Sequence, residues 1–254
     1  MESGYSVIAP LYDRINGDLY RPYADFLQEA IRQYSRTEVR DVLDLGCGTG
    51  KITAMMADAG YSMIGLDSSP DMLNLAREAN EGKNTLLLQQ DMRSFELYGT
   101  VQTIYSSFDC LNYIRQDKEL LDIFRLAYNY LDPGGLFLFD VNTSYRMREV
   151  YGNNTFVYEF DDEILYWRNE VDSFYRYCWF ILDRYYDMKP DGSCRYGREV
   201  QMEYVHSRKK LRMLAEKAGF LPQAIYNGMD FTVKNGESEK EYFIFMKPKA
   251  GGIE

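Results

Sequence analysis

Hydrophobic positions along the chain change their period repeatedly, and each change marks the boundary of an element. Phe26, Leu27, Ala30 and Ile31 recur at helical spacing and predict a helix from Pro22 to Tyr34. The apolar run Val42 to Leu45 predicts a first strand, and a helix follows from about Gly50 to Ala59, closed by Gly60. "YSMIGLD" reads as a second strand, and "SSPDMLNLAREAN" as a helix with a serine cap and Pro70 at its first position. "NTLLLQQD" and "VQTIYSS" give strands three and four. "DKELLDIFRLAYNYL" gives a helix stopped by Pro133-Gly134-Gly135, and "LFLFDVN" gives strand five. Strand and helix in alternation predict an α/β fold, a parallel sheet with helices on both faces.

After Tyr145 the period drops to two. "TFVYEF", "ILYWRNEV" and "REVQMEYV" alternate polar with aromatic or β-branched residues, and "KPDGS" at 189–193 is a hairpin turn signal. This stretch predicts an antiparallel sheet. It holds both tryptophans and about 15 of the 39 aromatic residues, a density that asks for something to cover it. The chain then returns to helix in "SRKKLRMLAEKAGF" and finishes with strands near "QAIYN" and "EYFIFMKP". The expected division is one α/β domain made of residues 1–145 and 206–254, interrupted by an antiparallel subdomain at 146–205.

Charge and composition narrow the function classes. Acidic residues outnumber basic ones 39 to 29, for a formal charge of −10, which works against a phosphate backbone as partner. The densest basic patch, Arg208, Lys209, Lys210 and Arg212, reads as a solvated helix face. No run approaches the length of a membrane span, and the N-terminus lacks the regions of a signal peptide, so a cytoplasmic protein without membrane contact is expected. Four cysteines without a C-x-x-C pair argue against a disulfide framework or a zinc site. The single histidine, His206, excludes a histidine-rich metal centre and is expected to be structural or solvent-facing.

The chemistry concentrates in "DVLDLGCGTGK", residues 41–51. A turn of Gly46, Cys47, Gly48, Thr49 and Gly50 has almost no side chain to hold a ligand away, and the helix starting there offers unpaired N–H groups. In an open parallel sheet such a turn lies where nucleotides bind. The dinucleotide fingerprint would place a small residue at Lys51, and Asp44 would repel a pyrophosphate. An acid there suits a ligand bearing an ammonium group instead. Asp67 ends strand two, placed to accept from a ribose diol. Asp91 ends strand three, placed to accept from an adenine amino group, with Met92 on the ring face.

The series "VLDLGCGTG", "MIGLDSSPDML", "LLLQQDM", "TIYSSFDCLNYI" and "GGLFLFDVN" resembles the class I S-adenosylmethionine-dependent methyltransferases, in their small-molecule, N-methyltransferase-like branch. The likeness runs from about Tyr5 to Asn142 and returns in "LRMLAEKAGF". It implies a Rossmann-like, mostly parallel seven-stranded sheet, S-adenosyl-L-methionine as methyl donor and S-adenosyl-L-homocysteine as product, with no metal. It also implies that the main chain at Gly46, Cys47 and Gly48 meets the methionine part, with Asp44 near its amino group. Asp67 would take the ribose, Ser68 and Met72 flank the adenosine, and Asp91 with Met92 hold the adenine. Ser107, at the end of strand four, would complete the contacts. The opening segment, with Tyr12, Tyr20 and Tyr23, would lie over the donor.

The acceptor is then expected beside the end of strand four, with Phe108 and Asn112 as pocket walls and Asp109 as candidate base. Related sugar N-methyltransferases carry a histidine around this place and this chain does not, so a histidine mechanism does not carry over. The aromatic insertion is expected either to cover the substrate or to form a homodimer contact. The expected activity is methyl transfer to a small molecule, at nitrogen in preference to oxygen. The rivals are an RNA or protein methyltransferase, a non-catalytic regulator that binds the donor, and a dinucleotide-dependent dehydrogenase.

Overall fold

A computed structural model describes residues 5–189, 191–233 and 237–249. Eleven strands and five α-helices follow one another among these residues. Five parallel strands form the centre of the larger sheet: β1 (Asp41–Leu45), β2 (Ser62–Asp67), β3 (Thr85–Gln89), β4 (Val101–Ser106) and β5 (Leu131–Asn142). β11 (Lys240–Met246) pairs antiparallel with β5, and β10 (Leu221–Tyr226) pairs antiparallel with β11. The order β10-β11-β5-β4-β1-β2-β3 is the expected seven-stranded, mostly parallel sheet. The chain reverses direction across the sheet between β1 and β4, which leaves a crevice at their carboxyl ends.

β1 is buried on both faces, and its alternation assigns each residue to a layer. Leu43 and Leu45 join one core with α4 (Asp117–Tyr130) and α5 (Arg208–Ala218). Val42 joins the other core, under α1 (Ala9–Tyr34) and α2 (Lys51–Asp58). α3 (Pro70–Ala79) carries Leu73 and Ala76 against Cys47, which fastens it behind the glycine turn. Ser69 caps α3 by accepting from the Met72 N–H, and Ser207 does the same for α5 from Lys210.

The first helix departs from the expected start at Pro22. It begins at Ala9 and carries Pro22 in its interior. A proline there forfeits a backbone hydrogen bond, and the apolar spacing from Phe26 to Ile31 had carried the helix only from Pro22 onward. Packing overrides the loss. Leu11 and the preceding Ile8 are buried against Leu165 and Leu182 of the inserted sheet, so the first half of α1 is clamped from above. Strand three is shorter than expected, and Asp91 lies two residues past its end. β5 begins before Pro133-Gly134-Gly135, and its pairing with β4 shifts register across that stretch.

The insertion forms a four-stranded antiparallel sheet, β6 (Thr155–Glu159), β7 (Ile164–Val171), β8 (Tyr177–Tyr186) and β9 (Arg195–Tyr204), paired in chain order. Within the expected turn "KPDGS", Pro190 lies outside the described residues; on either side, Lys189 N–H donates to Ser193 O at 2.9 Å. A single π-helical turn, Arg146–Tyr151, joins β5 to this sheet.

Asn112 ties the two sheets together. Its Nδ2 donates to Asn142 O at 3.2 Å and to Tyr204 O at 2.9 Å, while its Oδ1 accepts from Asn142 N at 2.9 Å. The residue is fully buried. Asn112→Ala leaves these backbone groups without partners and is expected to lower stability by roughly 3 kcal/mol in urea denaturation, given about 1–3 kcal/mol for each unsatisfied buried group. A midpoint shift no larger than that of a surface substitution would remove Asn112 from this role.

Candidate functional site

The crevice at the carboxyl ends of β1, β2 and β4 opens into a cavity, and its floor is main chain. Gly46 and Cys47 N–H groups both donate to Leu66 O, at 2.7 and 2.9 Å, which folds the turn back against β2. Gly48 N–H donates to Asp67 Oδ2 at 2.9 Å, and Ser69 N–H to Asp67 Oδ1 at 2.8 Å. One carboxylate thus holds the turn after β1 and the turn after β2 at a fixed separation. Gly48 has φ +53°, and a Cβ there would meet nothing within 4 Å, because it would stand in open space at the cavity wall. Gly50 is required for the opposite reason: at φ +69°, a Cβ would come within 2.6 Å of Asn80 Nδ2 and 2.9 Å of Ala76 Cβ.

Of the residues expected to hold the donor, the structure places Tyr12, Tyr20, Gly46, Cys47, Gly48, Asp67, Ser68, Met72, Asp91, Met92 and Ser107 in the wall of this one cavity, together with Phe108. Four expected residues, Tyr23 of the first helix among them, stand elsewhere. Asp44 lies behind the glycine turn, 1 % exposed, where its Oδ2 accepts from Thr53 Oγ1 at 2.6 Å and Tyr105 OH at 2.8 Å. Asn112 is taken up by the inter-sheet contacts described above, which corrects its expected place in the pocket wall. Asp109 sits between two wall residues but outside the wall itself, where it forms an ion pair with Lys240. His206 is buried rather than solvent-facing, with Nε2 within 3.2 Å of Leu111 O, and burial pushes its pKa down to about 4.

The acids around the cavity differ in state. Burial raises the Asp67 carboxyl, and the N–H groups of Ser69 and Gly48 pull it back. Asp91 is held below the usual carboxylate range by Arg93, whose guanidinium pairs with it at 2.5 Å. Burial pushes Asp44 up to about 7, against the pull of Thr53 and Tyr105, and its Oδ1 has no hydrogen-bond partner among the described residues.

α1 forms the lid. Asp13 Oδ1 accepts from Tyr20 OH at 2.7 Å and from Thr49 Oγ1 at 2.6 Å, and its other oxygen lies 3.6 Å from Lys51 Nζ. Tyr23 turns away from the cavity, stacks on Phe108 at 5.4 Å and donates to Asp140 Oδ1 at 2.6 Å. Ahead of the helix, Val7 N–H donates to Glu199 Oε2 of β9 at 2.8 Å, while across the cavity Tyr113, after β4, donates its OH to Gln201 Oε1 of β9 at 2.8 Å. The lid is therefore pinned both to the glycine turn and to the inserted sheet.

Sequence reasoning missed several members of the wall. Thr49 and Lys51 stood inside the quoted motif, and Lys51 was read only as a misfit to the dinucleotide pattern. Arg93 was signalled by its spacing of two from Asp91. Tyr5, Tyr113 and Cys110 carried no local signal, since only the folded chain brings them to the crevice. The basic patch on α5 is neutralised: Arg208 pairs with Glu241 at 2.8 Å, Lys210 with Asp117 at 2.9 Å and Arg212 with Glu216 at 2.7 Å. Among the described residues no group of side chains could hold a metal ion, and no helix is long and apolar enough to cross a membrane.

The methyltransferase-domain family matches residues 42–135, the segment from β1 to the start of β5. A Geobacillus sp. (strain WCH70) protein named as a methyltransferase is 31% identical over 165 residues, 64% of this chain and 66% of its own length. A Streptomyces fradiae protein, dTDP-3-amino-3,6-dideoxy-alpha-D-glucopyranose N,N-dimethyltransferase, is 32% identical over 117 residues, 44% of each chain. The crystal structure of an S-adenosylmethionine-dependent methyltransferase from Clostridium acetobutylicum superposes with TM-score 0.84 at 23% identity, covering 97% of this chain and all of that one.

The Asp44 environment makes a test independent of any ligand. Its folded pKa lies above the ordinary 3.8, so its contribution to stability is complete below 3.8 and is lost as pH climbs through about 7. Asp44→Asn should flatten the fall in stability between those limits, a fall with an upper bound of about 4 kcal/mol. Urea denaturation at a series of pH values checks it, and an unchanged slope would mean that Asp44 is ionised throughout.

Proposed function

The chain belongs to the class I S-adenosylmethionine-dependent methyltransferases, and from that premise we propose that it methylates a small molecule, at nitrogen in preference to oxygen. The observation that carries this reading is the single cavity formed by bare main chain at Gly46 to Gly48, the Asp67 carboxylate and the Asp91–Met92 turn. The same wall carries Phe108, Cys110 and the lid tyrosines Tyr12 and Tyr20.

The donor set fits the ligand by its chemistry. The glycine turn leaves room at the backbone for an amino-acid end, Asp67 keeps lone pairs for a ribose diol, and Met72 and Met92 offer apolar faces to a base. The surrounding acids suit a cation, and aromatic rings at Tyr12 and Tyr20 face positive charge favourably. When bound, S-adenosylmethionine supplies an electrophilic methyl group on a sulfur that leaves as a neutral thioether. The residues of this chain have to align the acceptor with it and keep water out. The lid serves the second purpose, since Asp13 closes α1 onto Thr49 and Lys51.

A small acceptor is supported by what covers the site. The inserted sheet at residues 146–205 acts in this reading as a substrate-covering subdomain, with Tyr158 and Trp167 on the face packed towards α1. The likeness to a nucleotide-sugar N,N-dimethyltransferase points the same way. The net charge of −10 and the paired basic patch speak against a nucleic-acid substrate.

The test is transfer of a labelled methyl group from S-adenosylmethionine to a panel of small amines, alcohols and an RNA. Turnover on amines is the expected result, and turnover confined to RNA would overturn the proposal. A narrower test concerns the donor alone. Asp67→Ala removes two charge-assisted hydrogen bonds at the turn as well as the ribose acceptor, and should weaken S-adenosylhomocysteine on the order of a hundredfold in calorimetric titration. Equal affinity would take Asp67 out of the donor site.

A further inference from the structure

Lys51 closes the glycine motif, and of the charged side chains in the cavity wall it alone lacks a hydrogen-bonded partner among the described residues. It stands at the first position of α2. Its Nζ lies 3.6 Å from Asp13 Oδ2, too far for a hydrogen bond. The side chain is 43% exposed, so the ammonium holds its charge beside the cavity with its N–H donors unspent. Arg93, the other cation of the wall, is in the opposite condition. Its Nε donates to Asp91 Oδ1 at 2.9 Å, its NH2 group pairs with the same carboxylate at 2.5 Å, and NH1 lies 3.2 Å from Glu119.

Neighbouring groups that could hold an anion are engaged. Gly46 and Cys47 N–H donate to Leu66 O, Gly48 N–H to Asp67, and Gly50 N–H to Cys47 O at 2.9 Å. The hydroxyls of Tyr20 and Thr49, with one proton each, both donate to Asp13 Oδ1. Asp13 therefore absorbs the neutral donors of this corner and leaves the ammonium as the charged group that can meet an anion. The methyl donor brings one. S-adenosylmethionine carries a carboxylate on its amino-acid end, the end for which the glycine turn leaves room, and it has no other negative group.

We propose that Lys51 binds the carboxylate of the donor's methionine part, and that Asp13 is the counter-charge with which that carboxylate competes. This rests on the donor reading above and adds to it the residue that recognises the amino-acid end. A separation of 3.6 Å is a weak hold on the ammonium, and a ligand carboxylate at hydrogen-bond distance makes a stronger one. The hydroxyls of Tyr20 and Thr49 stay with Asp13 Oδ1, so the lid keeps its closure while Lys51 changes partner. The arrangement also selects among ligands. Its gain goes to those that carry the carboxylate, and an adenine nucleoside without it receives nothing from Lys51. Because α1 supplies Asp13, the lid sets how strong that selection is.

Decarboxylated S-adenosylmethionine isolates the interaction, since it keeps the adenosine, the sulfonium and the amino group and lacks only the carboxylate. In calorimetric titration the wild-type protein should bind S-adenosylmethionine at least about tenfold more tightly than the decarboxylated form. Lys51→Met keeps an unbranched stem and removes the charge. There the ratio should fall towards one, with the decarboxylated form bound no worse, and Lys51→Arg should keep the preference. Asp13→Asn retains an oxygen for the hydroxyls of Tyr20 and Thr49 and removes the competing charge, so it should raise the ratio by about threefold. A wild-type ratio near one, a ratio that Lys51→Met leaves unchanged, or one that Asp13→Asn leaves unchanged or lowers, overturns the proposal. If Lys51→Met binds neither ligand, the ratios of the wild type and of Asp13→Asn decide. A wild-type protein that binds neither ligand brings down the donor reading, and this inference with it.

Discussion

The two hydrogen bonds that Asp67 accepts from Gly48 and Ser69 hold the working end of the sheet together. The turns after β1 and β2 would otherwise be loops with independent freedom, and each would expose its amides to water. Joined through one carboxylate, with the Gly46 and Cys47 amides paired to Leu66 O, they become a rigid rim of backbone nearly free of side chains that faces a single cavity. The left-handed glycines make the approach possible, and the buried Asn80, donating to Gly50 O and Ala76 O, locks the start of α2 from behind. Everything that gives the cavity its chemistry is placed relative to that rim.

Charge is the second constraint. Asp44, Asp67, Asp91 and Asp109 all lie on or just behind the same crevice, and each is treated differently by its surroundings. Asp91 is compensated by Arg93, Asp109 by Lys240, and Asp44 is buried without compensation. The charged side chains of the wall itself balance, Lys51 and Arg93 against Asp67 and Asp91, so the site offers a cation the Asp67 carboxylate rather than a net negative field. The tyrosines of the lid add ring faces without adding positive charge. A sulfonium donor, and the amine acceptor proposed above, would meet ring faces and carboxylate oxygens there.

Much of this was legible in the chain because it is local. The parallel strands announce themselves as short apolar runs, and the inserted sheet as strict alternation between Thr155 and Tyr204. The acids at strand ends follow from position alone. The first half of α1 was hidden because the apolar spacing from Phe26 to Ile31 carries the helix only from Pro22 onward, and only contact with Leu165 and Leu182 of the insertion explains why the helix runs on either side of that proline. Lys240 and Asp109 are 131 residues apart, with nothing in either neighbourhood to pair them. Asn112 looked like a pocket residue because it follows strand four, yet the fold spends its amide on joining two sheets. Local patterns encode elements and turns; the partners of a buried charge are encoded only by topology.

A chain whose one histidine is buried and held neutral has to manage protons by other means. Asp109, kept low by Lys240, would be a weak base towards an amine in water. The amine acceptor of the proposed reaction would not be in water, however. Burial lowers the pKa of an ammonium by disfavouring its charged form, and a sulfonium within bonding distance of the methyl group lowers it further by like-charge repulsion. Both effects are larger where the lid shuts out water and the local dielectric is low. The gap between acid and base therefore narrows only when donor and acceptor are both in place, which ties proton loss to the aligned complex. Alignment itself supplies the larger share of the rate, on the order of 7–11 kcal/mol at best, since the thioether leaving group needs no assistance. In such a site a modest carboxylate would suffice, provided that the rim set by Asp67 keeps the methyl group pointed at the acceptor nitrogen.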